Sequence, residues 1–263
     1  MPESFARILL QNRVIIKPGL ETSDPVSAVE RYKTWLEDNS ISLSGKHVLV
    51  FGYGGRLAVA VELLRSGCSH VTVCDLFPHI DEHINDPLLE QYPEYLESRN
   101  GVVNQKSELI SAYHGDIRSI PDSVRMGPFD LVISSSVYEH LDDVDGITAA
   151  LSRLMKPSGF FLAFVDLRDH YFKYPFEMLC YKTSTWKKWL NPTSNLNRYR
   201  VWDYRNVFDK YFQTNQITVL ERDTENYLKQ KHRIIREFKS GDDSQDAVTK
   251  IAVLSSQPIH RDE

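Results

Sequence analysis

The stretch "VLVFGYGGRLAVAVELL", residues 48–64, decides the fold. Its first four residues are apolar, as in a strand that is buried on both faces. Gly52, Gly54 and Gly55 follow and favour a sharp bend, and the apolar segment after them favours a helix packed on the sheet. A strand, a glycine-rich bend and a helix in this order are typical of a nucleotide site in a doubly wound sheet.

Six further segments have the composition of strands: "HVTVCD", "LISAYHGDI", "FDLVISSS", "FFLAFVDL", "QITVLERD" and "AVTKIAVLSS". Helical patterns separate most of them, which predicts an α/β fold with a seven-stranded, mostly parallel Rossmann-like sheet. The predicted helices are "SDPVSAVERYKTWLED", "RLAVAVELLRSG", "DDVDGITAALSRLMKPSG", "VWDYRNVFDKYF" and "TENYLKQKHRIIREFK". Residues 78–109 have an irregular polar pattern that favours at most partial helix.

Two of these helices carry clear end signals. Asp24 can cap the first, Pro25 fits its first turn, and Val26, Val29, Tyr32 and Leu36 fall on one predicted face. In the helix over 142–159, Pro157 and Gly159 are expected to end it.

We expect residues 1–263 to form a single domain with four parts. They are an N-terminal arm and cap helix (1–44), a cofactor-binding core (45–168), an insertion after the fifth strand that acts as a substrate lid (169–200), and C-terminal helices and strands that complete the sheet (201–263).

Composition limits the classes of partner. The 263 residues are 41% hydrophobic and carry a net charge of −5, so no overall attraction to nucleic acid or to an anionic membrane is expected. No run reaches the roughly 18 apolar residues of a membrane helix, and the three cysteines are too few and too scattered for a disulfide scaffold or a zinc site. We therefore expect a cytoplasmic protein with a small-molecule substrate; the sequence leaves a homodimer open.

An acidic residue supports the nucleotide interpretation of the glycine bend. Asp75 ends the second predicted strand, about 21 residues after Gly54. A carboxylate at that position can accept hydrogen bonds from both ribose hydroxyls of an adenosine. The bend and the acid together predict a nucleoside cofactor, whereas either alone is also found in a tight turn or on a solvated surface.

The order of "VLVFGYGG", "VTVCD", "YHGDI", "FDLVISSSVYEHL" and "LMKPSGFFLAFVDLRDH" resembles the class I S-adenosylmethionine-dependent methyltransferases, and within them the type 11 group. The similarity covers roughly residues 45–170. It implies the seven-stranded sheet predicted above, with the last strand antiparallel, and S-adenosyl-L-methionine as the cofactor.

The resemblance also implies cofactor contacts. The backbone of the bend, Gly52, Tyr53, Gly54 and Gly55, would pass beneath the methionine end, and Asp75 would hold the ribose with Leu76 or Phe77 against the adenine. The further implied contacts are Asp116 and Ile117 at the adenine and Ser134 and Ser135 at the methionine moiety.

Two positions depart from the family pattern. Val50 stands where the family usually has Glu or Asp, and Arg56 stands where it has a third glycine. The missing acid normally helps to hold the methionine amino group, so the departures concern the amino-acid end of the cofactor. Arg56 either approaches the methionine carboxylate or points to solvent.

Several polar side chains are candidates for the chemistry. Methyl transfer to a hydroxyl needs alignment, exclusion of water and removal of a proton. His140 follows the fourth strand, Asp166 ends the fifth, and Asp169 and His170 come directly after it. Because the two strands are expected to be neighbours, these side chains should converge on one pocket; all four are candidate catalytic residues, with His170 preferred as the base. The last three could also ligate a divalent ion, but no ligand spacing requires it, so no metal is expected.

The insertion is rich in aromatic and basic residues. We expect most of its aromatic side chains to form a small core and one or two to line a pocket. Lys187, Lys188, Arg198 and Arg200 would lie on a solvated face or, alternatively, meet an anionic acceptor.

The leading hypothesis is a methyltransferase (EC 2.1.1.-) that acts on a hydroxyl oxygen of a sugar or secondary metabolite. The alternatives are an NAD(P)-dependent oxidoreductase, which would use the same bend, and a catalytically inactive binding protein with the same fold. "SVYEHL" lacks the lysine of the Tyr-x-x-x-Lys pair of short-chain dehydrogenases, which counts against the oxidoreductase.

Overall fold

The central element is a seven-stranded sheet with the strand order β5-β2-β1-β6-β7-β9-β8. The structure is a computed structural model and describes residues 24–76, 80, 82–106, 108–121, 124, 126–172, 174–191 and 195–260. The strands are β1 His47–Phe51, β2 His70–Asp75, β3 Leu96–Arg99, β4 Val102–Gln105, β5 Ile110–His114, β6 Phe129–Ser135, β7 Met155–Asp166, β8 Phe212–Arg222 and β9 Val248–Pro258.

Strand pairing confirms the predicted fold class. β1 pairs in parallel with β2, and β2 with β5, whereas β9 runs antiparallel to both of its neighbours, β7 and β8. The strand order changes direction between β1 and β6, as in doubly wound sheets. The sheet is therefore the predicted Rossmann-like one, with its last strand antiparallel.

Helices connect most of the strands. They are α1 Pro25–Asp38, α2 Ala58–Arg65, α3 Glu82–Gln91, α4 Val144–Arg153, α5 Val201–Tyr211, α6 Thr224–Gln230 and α7 Asp243–Asp246. Asp24 caps α1 as expected, because its side chain accepts a hydrogen bond from the Ser27 N–H at 3.1 Å. Within the described residues, no helix is long and apolar enough to cross a membrane.

The ends and faces of two helices were predicted wrongly. Val26 is exposed, and Ala28 takes its place on the buried face of α1. α4 ends at Arg153 rather than at Pro157 and Gly159, which lie inside β7. The reason is that β7 begins at once, where the Phe129 N–H at the start of β6 donates to the Leu154 carbonyl at 2.8 Å.

Two segments differ more strongly from the prediction. The irregular stretch 78–109 contains α3 and also an antiparallel hairpin of β3 and β4. The helix predicted over 224–239 stops at Gln230. Beyond it the chain turns so that Arg233 can pair with Glu177 at 2.9 Å and Ile234 can be buried, and these tertiary contacts outweigh helix propensity.

The chain divides into two compact units. The first contains the described residues up to 133 together with 154–159, and the second contains 134–153 together with 160–260. Strands β6 and β7 contribute residues to both units.

A half-buried histidine at the start of β1 is expected to make the stability of the first unit depend on pH. His47 Nε2 lies 3.0 Å from Thr72 Oγ1, and its ring packs edge-on against His70 and Phe129. Burial, followed by the charge of His70, lowers the pKa of His47 to about 4. The unfolded chain therefore binds a proton at this residue more readily than the folded one.

We predict that this histidine destabilises the fold as the pH falls from about 6.5 to about 4, and that its full contribution is present above 6.5. Between pH 7 and pH 5, the free energy of unfolding of wild type should fall by about 1 kcal/mol more than that of His47→Gln, a value that allows for the partial exposure of His47. Urea unfolding at several pH values measures the difference. Parallel stability curves for the two proteins would contradict the prediction.

Candidate active site

The glycine bend after β1 has a backbone that few other residues adopt. Gly52, Gly54 and Gly55 have φ angles of 84°, 67° and 79°. This left-handed region strains residues that have a Cβ atom. A Cβ atom added at Gly54 would meet no atom of the described residues within 4 Å.

Asn85 of α3 holds the far side of the bend. The side chain is fully buried; its Oδ1 accepts from the Leu57 N–H at 2.8 Å, and its Nδ2 donates to the Gly55 carbonyl at 2.9 Å. Both hydrogen bonds fix the backbone on which the nucleotide interpretation depends. Sequence reasoning missed this residue, because it lies in the stretch that was predicted to be irregular.

Asp75 lies at the end of β2, next to the bend. Its Oδ2 accepts from the Gly54 N–H at 3.1 Å, so the acid and the bend meet as predicted. Tyr53 of the bend forms a hydrogen bond with Nε2 of His114, the residue that pairs with Asp75 in the sheet. Burial, and then the charge of Asp75, raise the pKa of Tyr53, which keeps its hydroxyl protonated.

The two residues after Asp75 are the predicted adenine contacts. Leu76 is half-buried, and Phe77 lies outside the described residues.

Asp116 follows β5 and begins a short 3-10 turn, Ile117–Ser119. Its carboxylate accepts from the Arg118 N–H at 2.9 Å and from the Arg118 guanidinium at 2.7 Å. These hydrogen bonds lower the pKa of Asp116 against the opposing effect of burial. An ionised carboxylate beside the buried Ile117 suits an adenine amino group.

The residues of the first unit fit the adenosine end of the cofactor better than its amino-acid end. The bend, Asp75 and Asp116, which were predicted to contact the adenosine, present a glycine backbone and two carboxylates. Val50 is buried and apolar, so it offers nothing to an ammonium group. The buried Nε of Arg56 has no hydrogen-bond partner within the described part of the chain.

The second unit begins with Ser134 and Ser135, the last two residues of β6. Ser134 is buried, and its Oγ has no hydrogen-bond partner among the described residues, whereas Ser135 is half-buried. Ser136 then takes a left-handed conformation, with φ of 54°, and a 3-10 turn runs over Tyr138–His140.

The two candidate histidines lie together. The ring centroids of His140 and His170 are 5.3 Å apart, with the rings at 61° to each other. Nδ1 of His140 lies 2.7 Å from the Asn195 carbonyl, and because a carbonyl only accepts, this nitrogen donates. Nε2 of His170 lies 3.9 Å from Asp166 Oδ2. The prediction that the ends of the fourth and fifth strands bring these groups together is thus confirmed.

The two aspartates of this cluster have different surroundings. Asp166 accepts hydrogen bonds from the main chain and guanidinium of Arg168 at 3.0 and 2.9 Å. Burial would raise its pKa, but His170 and Arg168 outweigh burial and hold the pKa well below its usual range. Asp169 is buried and accepts from the Tyr171 and Phe172 N–H groups at 2.9 and 3.0 Å, so it braces the loop after β7.

Among the described residues, no group of three or more His, Cys, Asp or Glu side chains is placed to hold a metal ion.

The insertion differs from its prediction in two ways. Of its aromatic residues only Phe176 and Trp186 are fully buried, and four are exposed: Tyr171, Phe172, Tyr174 and Trp189. The expectation that most of them form a core is therefore wrong. The buried ones join a cluster with Met178, Leu179, Leu196, Tyr227, Ile234 and Ala247.

Arg198 and Arg200 are buried, which contradicts both a solvated face and an anionic acceptor. Arg198 donates to the carbonyls of Met178 and Tyr181 at 3.2 and 2.8 Å. Lys187 and Lys188 are exposed, as expected for a solvated face.

Arg200 is completely buried. Its guanidinium donates to three main-chain carbonyls, those of Leu167, Asp246 and Val248, at 3.2, 2.9 and 2.6 Å. It thereby joins the end of β7 to the start of β9.

Comparison with known proteins identifies the domain that contains the bend. Residues 49–163, a little under half of the chain, match the family model described as a methyltransferase domain. This part of the chain is a class I methyltransferase domain of the type 11 group. Its cofactor is S-adenosylmethionine, and the adenosine-fitting residues described above lie in or beside the matched segment.

The chain is also similar to several solved structures. The chain is 14% identical to the putative methyltransferase of Haloferax volcanii in its complex with the Trm112 methyltransferase activator, covering 91% of this chain and 96% of that one with a TM-score of 0.46. A putative methyltransferase of Bacillus halodurans gives 14% identity, coverages of 84% and 95%, and a TM-score of 0.47.

Haemonchus contortus phosphoethanolamine N-methyltransferase 2, in complex with phosphomonomethylethanolamine and S-adenosylhomocysteine, gives 15% identity and a TM-score of 0.50. The match covers 82% of this chain but only 49% of that longer chain. At such identities the likeness concerns the fold alone. No curated protein sequence matches the chain.

Replacement of Asp75 tests the adenosine end of the site. We expect Asp75→Ala to weaken S-adenosylmethionine binding by about 2–3 kcal/mol, because it removes charge-assisted hydrogen bonds to the ribose. Asp75→Asn keeps an acceptor for the Gly54 N–H. If this variant also loses affinity for S-adenosylmethionine, the loss comes from ribose binding and not from a weakened bend.

Isothermal titration calorimetry measures both effects. Asp145→Ala, which removes a surface aspartate paired with Lys210 in the second unit, is the matched control and should bind normally. Unchanged affinity in folded Asp75→Ala would mean that another group holds the ribose.

Proposed function

We propose that this protein transfers the methyl group of S-adenosylmethionine to a hydroxyl oxygen of a small molecule, a sugar or a secondary metabolite. The observation that carries the proposal is the pair of imidazoles, His140 and His170, with ring centroids 5.3 Å apart. A hydroxyl acceptor must lose its proton, and imidazole is the side chain whose usual pKa suits that step near neutral pH.

When bound, S-adenosylmethionine supplies an electrophilic methyl group on a sulfonium. In the proposal, the backbone of Gly52–Gly55 supports its methionine end, Asp75 binds the ribose, and Asp116 binds the adenine amino group. Leu76, Phe77 and Ile117 would provide the apolar surface around the adenine. Ser134 and Ser135 are assigned to the methionine moiety, and the unpartnered, buried hydroxyl of Ser134 supports this assignment.

In this proposal, the Arg56 guanidinium binds the carboxylate of the methionine moiety. Its buried Nε, which lacks a hydrogen-bond partner among the described residues, favours this role over a side chain in solvent. With Val50 in place of the usual acid, no carboxylate at that position binds the ammonium group. The adenosine end should then supply an unusually large share of the binding free energy.

His140 is the better-defined of the two candidate bases. Its Nδ1 donates to the Asn195 carbonyl, so in the neutral ring the lone pair that accepts a proton is on Nε2. His170 faces the ionised Asp166 instead. We propose that His140 removes the proton, with His170 and Asp166 beside it to stabilise the imidazolium. Asp169 is assigned a supporting role, because its contacts are with the loop.

The exposed aromatic side chains in the loop after His170 favour an acceptor that contains a ring. Tyr171, Phe172 and Tyr174 are all exposed there, and Asp169 holds the loop through its N–H, which donates to the Pro175 carbonyl at 2.8 Å. Aromatic faces pack on planar rings and on the C–H face of sugars. This favours a sugar or an aromatic metabolite over a small linear amine.

Replacement of the histidines tests the proposed chemistry. We expect His140→Gln to lower kcat by roughly 10²–10⁴, with cofactor affinity nearly unchanged, because a general base acts only on the acceptor. His170→Gln should lower kcat less. In wild type, kcat should rise with pH through a histidine-like pKa, because only the neutral imidazole accepts the proton.

The assay measures transfer of labelled methyl from S-adenosylmethionine to a panel of hydroxyl and amine acceptors. EDTA should leave the rate unchanged; a loss that Mg²⁺ restores would instead indicate a metal. Near-normal rates in both single variants and in the double variant would show that no histidine acts as the base. Methylation of amines alone would refute the hydroxyl acceptor.

A calorimetric comparison tests Arg56. Arg56→Ala should weaken binding of S-adenosylmethionine but leave the affinity for adenosine unchanged, because adenosine has no carboxylate. Arg56→Lys should recover part of the loss. Equal weakening for both ligands would mean that Arg56 acts through the bend, and binding of NAD tighter than that of S-adenosylmethionine would overturn the cofactor assignment.

A further inference from the structure

We propose that Asn195, in the insertion, is the positioning residue that sets which nitrogen of His140 carries the proton. The inference rests on the proposed function, in which His140 is the base. It assigns a role in the site to a residue 55 positions after His140 in the chain. It also makes the tautomer of the base depend on a contact with the insertion.

Asn195 and His140 exchange two hydrogen bonds. His140 Nδ1 donates to the main-chain carbonyl of Asn195 at 2.7 Å, and Asn195 Nδ2 donates to the main-chain carbonyl of His140 at 2.9 Å, so the side chain of Asn195 holds its own main-chain oxygen against the ring. Since the carbonyl can only accept, the hydrogen of the neutral ring is held on Nδ1. Free imidazole side chains favour the opposite tautomer, so this contact selects the form whose Nε2 accepts a proton.

The amide of Asn195 has only one orientation that satisfies its neighbours. Its Oδ1 accepts from Asn191 Nδ2 at 2.6 Å, which leaves Nδ2 to face His140. Its φ of 54° lies in the left-handed region, which asparagine and glycine tolerate better than other residues. The Asn191 Oδ1 in turn accepts from the Leu196 N–H at 2.9 Å. The residue type is therefore matched to both its backbone and its contacts.

Asn197 completes the attachment of this segment. Its N–H donates to the Glu139 carbonyl at 2.9 Å, and its Nδ2 donates to the carbonyls of Tyr138 and Leu141 at 2.7 and 3.2 Å. Residues 195–197 thus contact the main chain of every residue from 138 to 141. The contact that favours the tautomer with the lone pair on Nε2 thus depends on this segment of the insertion.

Nitrogen-15 NMR of the histidine rings tests the inference in the full-length, ligand-free protein at a pH where the rings are neutral. The signals of His140 are those that disappear in His140→Gln. Wild type should show His140 protonated on Nδ1. Asn195→Gly tolerates the left-handed backbone, and Asn195→Asp keeps the oxygen for Asn191; both keep the main-chain carbonyl of residue 195 but lose the Nδ2 hydrogen bond that holds it against the ring. In both variants the population should therefore shift toward Nε2–H.

Asn104→Ala is the matched control, because Asn104 Nδ2 likewise donates to a main-chain carbonyl, that of Val102 at 2.9 Å. It should leave the tautomer of His140 unchanged. Far-UV circular dichroism and S-adenosylmethionine affinity should match wild type in all three variants. In the methyl-transfer assay, kcat should fall about 10-fold or more in both Asn195 variants, with KM for S-adenosylmethionine unchanged.

The two readouts separate the inference from the function on which it rests. A His140 ring protonated on Nε2 in wild type, or a tautomer that does not change in either Asn195 variant, would overturn the positioning role. A shifted tautomer with an undiminished kcat would support the positioning of the ring by Asn195 and refute His140 as the base.

Discussion

The left-handed backbone of the bend after β1 is the constraint on which the proposed cofactor site of the first unit depends. Three glycines take φ angles that strain other residues, and Asn85 and Asp75 hydrogen-bond the bend from two sides. The bend is therefore fixed before any ligand binds. Because the ligand does not have to order this backbone, less of its binding free energy is lost to conformational entropy.

Features with a local periodic signal could be predicted from the sequence. The strands of the sheet are short apolar runs, and α1 has both a cap residue and a proline at its start. The bend and Asp75 were also predictable, because glycine and a strand-end acid mark the nucleotide edge of such sheets. The meeting of His140 and His170 followed from the sheet order, since each lies just after one of two neighbouring strands.

Features that depend on distant partners could not be predicted. Asn85 and Asn195 look like ordinary polar residues of loops or surface helices, and their roles come from contacts about 30 and 55 positions away. Arg198 and Arg200 were expected near solvent or an anion because charged residues are rarely buried. The structure buries both, and main-chain carbonyls from several segments replace the water they lose.

The hydrogen bonds of Arg200 have a consequence for how this fold can vary. All three of its acceptors are main-chain oxygens, so these hydrogen bonds do not depend on the side chains at Leu167, Asp246 and Val248. Substitutions at these three positions leave the acceptors in place. A single buried cation can thus tie the end of β7 to the start of β9 through bonds that a change of side chain at these positions does not remove.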